Sequence, residues 1–67
     1  MAVQAVVFPS FWAAADARAW LAAHGYTPIK RAHRTANQLR YRIQEPTVGA
    51  KYFTKRLPNG VNLVIAL

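Results

Sequence analysis

Leu39-Arg40-Tyr41-Arg42-Ile43-Gln44 is the stretch that decides the fold. Apolar Leu39, Tyr41 and Ile43 alternate with polar Arg40, Arg42 and Gln44, and successive side chains of a β-strand point to opposite faces. One face of this strand suits a core and the other suits water. A sheet with one dry and one solvated face is characteristically antiparallel, and its dry face needs a covering layer.

Downstream, Glu45-Pro46-Thr47-Val48-Gly49 breaks the strand, and Lys51 to Leu57 resumes as another. Pro58-Asn59-Gly60 carries the Asn-Gly signal of a tight type I′ hairpin. Val61 to Leu67 (VNLVIAL) is apolar on both faces, which suits a central strand. At an edge it would instead invite pairing with another chain, and a homo-oligomer would follow.

Upstream, Ile29 to Arg34 reads as a short extended segment with poor alternation. Gly25 supplies a left-handed helix stop, and Ser10 an N-cap for FWAAADARAWLAAH. Within that helix Ala13, Ala17, Trp20, Leu21 and His24 share one stripe, with Trp20 and Leu21 as the large anchors. Ala2 to Phe8 is Val-rich and bounded by Pro9-Ser10, a first strand covered on both faces. The expectation is a single α+β domain over residues 1–67, with one α-helix packed on a four- to five-stranded, mostly antiparallel sheet in the order β-α-β-β-β-β.

Composition bounds what such a domain can do. Hydrophobic residues make up 54% of the chain, but thirteen are alanines, so the core rests on few large side chains and a stability of about 3–5 kcal/mol is expected. Cysteine is absent, which removes disulfides and thiolate chemistry and favours a reducing compartment. No apolar run approaches a membrane span, and the N-terminus lacks the order of a signal peptide. A cytoplasmic protein with no membrane partner is expected.

Asp16 and Glu45 are the only carboxylates, too few for paired acid–base chemistry. His24 and His33 have neither cysteine nor enough carboxylates to complete a metal site. Gly25, Gly49 and Gly60 are isolated, so no glycine-rich phosphate loop exists. No catalytic residue, metal or cofactor is expected.

Charge is the remaining signal. Nine Lys and Arg against two acids give +7, and residues 30–56 hold eight of those cations with Glu45, so that stretch alone carries the whole net charge. If Leu39, Tyr41, Ile43 and Phe53 face the core, Arg40, Arg42, Tyr52, Thr54 and Arg56 fall on the open face of adjacent strands. Lys55 is out of phase with that set, and either snorkels at the sheet edge or is re-aimed by a bulge. Arg31, Arg34 and Lys51 complete the basic set. Arginine and lysine are ordinary choices on a solvated face, but such a face normally mixes signs for solubility. One sign alone points to a partner of negative potential: DNA or RNA backbone, or an acidic protein surface.

The string Trp20-Leu21, His24-Gly25, Lys30-Arg31, Thr35, Asn37, Leu39-Arg40-Tyr41-Arg42, Pro46, Phe53-Thr54-Lys55, Gly60-Val61 and Leu63-Val64-Ile65 resembles a group of small uncharacterised proteins of tailed bacteriophages and some large DNA viruses. Its most specific part is the Leu-Arg-Tyr-Arg strand followed by a proline turn and Phe-Thr-Lys. The resemblance implies a viral or prophage setting, in the host cytoplasm or the virion, and supplies no catalytic or binding residues. Three roles then use the same surface: a nucleic-acid accessory protein, a virion or capsid-associated component, and a small inhibitor of a host defence or replication complex.

Overall fold

The computed structural model describes residues 2–45 and 49–67, so Pro46 to Val48, the middle of the break expected at Glu45 to Gly49, lie outside the described residues. In chain order the elements are β1 (Ala2–Pro9), α1 (Ala14–Ala23), β2 (His33–Arg34), β3 (Gln38–Arg42), β4 (Tyr52–Arg56) and β5 (Asn62–Ala66). The strands form one antiparallel sheet in the spatial order β2-β3-β1-β5-β4, with α1 on one face. The expected α+β architecture and element order are what the chain adopts. No helix among the described residues is long and apolar enough to cross a membrane.

Strand position follows from side-chain chemistry. β1 and β5 are apolar on both faces and take interior places, where Gln4 to Phe8 are buried. The amphipathic β3 and β4 flank them. The dry face gathers Val6 and Phe8 of β1, Leu39 and Tyr41 of β3 and Leu63 of β5 with Ala17 and Leu21 of the helix. Phe8 is the hub: Trp20 and Tyr41 meet it edge-on at 5.7 and 5.8 Å, and Trp12 lies tilted at 5.1 Å. Full burial of Leu21 alone contributes about 1.5–3 kcal/mol.

The helix is shorter than its sequence suggests, and Ser10 does not cap it. Trp12 N–H donates to the Pro9 carbonyl at 3.0 Å, closing a turn that draws Trp12 back onto Phe8. The N-cap is Ala13, which offers no side-chain hydrogen bond. Ala13 and His24, expected on the packed stripe, are exposed, and Trp20 is half-buried. Ala17 and Leu21 carry the docking. At the other end the Gly25 stop holds: with φ at +78°, Gly25 N–H reaches the Ala22 carbonyl and Tyr26 N–H the Leu21 carbonyl, a Schellman motif. His24 Nδ1–H donates to the Trp20 carbonyl at 2.8 Å, and its ring stacks on Trp20.

The β4–β5 hairpin corrects a second expectation. A type I′ turn needs positive φ at both central residues, yet among the described residues no non-glycine residue has one. Leu57 N–H donates to Val61 O and Gly60 N–H to Leu57 O, so Pro58-Asn59-Gly60 is a three-residue loop ending in left-handed Gly60 at φ +86°. Proline's fixed negative φ suits the first central position of a type I turn, and the turn therefore begins one residue early. Of the extended segment expected at 29–34, only His33–Arg34 pairs as a strand, while Ile29 N–H reaches the Arg42 carbonyl.

Candidate functional site

The face that α1 leaves open is built as cross-sheet rows. Antiparallel register sets His33, Arg40, Val7, Asn62 and Arg56 in one row, and Arg42, Ala5, Val64 and Thr54 in the next. Tyr52 stands opposite Ala66 beyond them. The residues on β1 and β5 are small, whereas Arg40 and Arg42 of β3 and Tyr52 and Arg56 of β4 are long. The result is a trough with an apolar floor of Ala5, Val7 and Val64 and polar walls, Arg40 and Arg42 on one side and Tyr52, Thr54 and Arg56 on the other.

β3 and β4 are therefore not adjacent, as the sequence reading supposed. Two strands separate them, a span of about 14 Å at ordinary strand spacing. Burial explains the separation, because the doubly apolar strands must occupy the middle of the sheet. The long side chains still converge: Arg40, Arg42, Tyr52, Gln4 and Val64 line one shallow hollow of about 300 Å³.

Gln4 is a member of this site that the sequence reading missed. A register shift between Val3 and Ala5 marks a bulge in β1. Gln4 Oε1 accepts from Arg40 Nη2 at 3.5 Å, and Gln4 Nε2 donates to the Gln44 carbonyl at 3.0 Å. Its own carbonyl accepts the Ile43 and Gln44 amides at 2.8 and 3.0 Å. A lone glutamine inside an apolar strand was the available signal, since a buried amide needs partners. Gln4 buttresses Arg40 from beneath and ties the end of β3 to β1.

The remaining cations sit elsewhere. Lys55 lies opposite Leu63, on the face of Phe53, without a bulge to re-aim it. It stays in water because the helix contacts run to Phe8 of β1 and Tyr41 of β3, and no β4 side chain joins the core. For the same reason Phe53, expected inside, is 40% exposed. Arg34 pairs with Leu39 and so shares the dry face's side of the sheet. Arg31 lines a separate hollow with Ala14, Arg18, Pro28, Lys30, Ala32 and Tyr41 beside the helix. Lys51 is exposed just before β4 and gives its carbonyl to Leu67 N–H. The eight sequence-predicted residues thus divide: Arg40, Arg42 and Tyr52 gather round one hollow, Arg56 shares their face at the far end of the Arg40 row, and Lys51, Lys55, Arg31 and Arg34 lie apart.

Electrostatically the open face is of one sign apart from one neighbour. Glu45 bridges Lys30 at 3.2 Å and Arg42 at 3.6 Å, with all three side chains well exposed. Exposed pairs of this kind are weak, so Arg42 can exchange Glu45 for a stronger anion at little cost. The arrangement offers guanidinium groups for bidentate contact with anionic oxygens, a phenol ring for stacking, and an apolar floor.

Fold and face together define a class: a small one-helix α+β domain that leaves one sheet face open. Beyond that class, no family model, curated protein or solved structure matches the chain.

Proposed function

We propose that this domain is a non-enzymatic protein that binds single-stranded nucleic acid across the open face of its sheet. Arg40 and Arg42 on one wall and Arg56 on the other take phosphates, while Tyr52 and the apolar floor receive a base. The observation that supports this most is the row running from Arg40 through Val7 and Asn62 to Arg56. It puts cations at both rims of an uncharged floor, the combination of electrostatic wall and stacking platform that sequence-tolerant single-strand binding uses. The setting proposed with it is viral or prophage, within the host cell, on the strength of the sequence resemblance.

The competing occupant of the same face is an acidic protein surface of virus or host. A carboxylate already pairs with this face, Glu45 with Arg42 at 3.6 Å, which favours it. Fluorescence anisotropy with a labelled single-stranded oligonucleotide and its duplex distinguishes the two. Single-strand binding that exceeds duplex binding and falls steeply with salt is the expected result. No binding to either at low ionic strength would transfer the face to the protein partner.

A further inference from the structure

Strand β4 is an edge: among the described residues its only sheet neighbour is β5. The bonds Leu67 N–H to Lys51 O and Leu57 N–H to Val61 O fix its alternation, with odd-numbered residues bonded toward β5. The N–H and C=O of Thr54 and Arg56 therefore point away from the sheet. Such an edge is a template for another strand, and aromatic side chains flank it on both faces, Tyr52 and Phe53 being 39% and 40% exposed.

We propose that β4 pairs antiparallel with β4 of a second copy, about a two-fold axis at Thr54, to form a homodimer with one continuous sheet. The sequence Tyr52-Phe53-Thr54-Lys55-Arg56 is self-complementary in that register. Phe53 falls opposite Lys55 of the second copy on one face, Tyr52 opposite Arg56 on the other, and Thr54 opposite itself. Both cations of β4 meet an aromatic ring, Lys51 just before it falls opposite Leu57, and no cation meets a cation, an arrangement that cross-strand pairing and cation–π attraction both favour. The neighbouring registers that use the same outward groups fail this test: centring on Arg56 sets that residue opposite itself, and centring on Tyr52 leaves Lys55 and Arg56 with no aromatic ring opposite them. A two-fold axis perpendicular to the sheet also keeps both open faces on the same side. The inference stands whatever that face binds.

Each copy carries +7, so added salt screens the repulsion between copies and tightens the dimer, the reverse of its effect on phosphate binding. Sedimentation velocity on the whole chain, from low micromolar to millimolar concentration at two salt levels, is the test. The expected result is a monomer–dimer equilibrium that strengthens with salt. Thr54→Pro, at a position whose N–H faces outward, should leave the fold intact and abolish the dimer. Should that variant not fold, Phe53→Lys decides, because it sets ammonium opposite ammonium twice and should weaken association by about tenfold or more. Adding Lys55→Glu to Phe53→Lys should restore it. A chain monomeric throughout the range, a dimer that folded Thr54→Pro or Phe53→Lys leaves unweakened, or a double variant without recovery would each overturn the proposal.

Discussion

Replacing Gly60 by alanine meets two separable penalties at the turn that holds β4 in place. Gly60 has φ +86°, where a Cβ is disfavoured by about 1–2 kcal/mol. That Cβ would also lie 2.9 Å from Pro9 Cγ, part of a ring that cannot swing aside. Shifting the hairpin away from the end of β1 to relieve the contact costs about 1–3 kcal/mol, as overpacking usually does. The stiffer unfolded chain offsets about 0.4–1 kcal/mol. The net loss is about 2–4 kcal/mol, most of the stability expected of a domain this size. Urea denaturation followed by circular dichroism measures it, in a cycle with Pro9→Ala. If the contact is real, Pro9→Ala should recover about 1–3 kcal/mol of the Gly60→Ala loss. A loss below about 1 kcal/mol, or no coupling to Pro9, would refute the reasoning. The consequence extends to the trough, because this turn sets the register that puts Tyr52, Thr54 and Arg56 on its wall.

Other variants test other links. Ala13→Asp supplies the side-chain cap that α1 lacks and should stabilise the domain by about 1 kcal/mol, raising the melting temperature by about 4–8 °C in calorimetry. Leu21→Ala should cost about 2–5 kcal/mol and leave little folded protein by circular dichroism, whereas half-buried Trp20→Ala should be milder. Arg56→Ala should reduce the salt slope of oligonucleotide binding by about 0.7, while Lys55→Ala, one residue away on the opposite face, should leave affinity unchanged in anisotropy titrations.

Strand periodicity makes the architecture legible in the sequence. The alternation at Leu39 to Gln44 assigned Arg40 and Arg42 to the face the helix does not cover, where they lie half-buried, and the doubly apolar VNLVIAL marked β5 as interior, which it is. Spatial order was less legible, because period two tells which face a residue takes and not which strand lies beside it. That is how β3 and β4 came to be read as neighbours. Lys55 illustrates another limit: its face followed from phase, but its exposure depends on how far a ten-residue helix, about 15 Å long, reaches across the sheet. At Ser10 and at Asn59-Gly60 the local signals were sound in type and misplaced in position, since Pro9 and Pro58 each fix the backbone at the start of a turn. Gln4 escaped notice because its role arises from a bulge, which apolar patterning does not encode.

The central claim is that Arg40, Arg42 and Arg56 act together on one anionic strand. Its most direct test compares salt dependence of single-strand binding for the native chain and for a variant with all three changed to alanine, with circular dichroism confirming the fold. Each phosphate neutralised on a single strand contributes about −0.7 to the slope of log K against log salt, so the triple variant should lose about 2 from it. A fully folded triple variant with the same slope and affinity as the native chain would contradict the account.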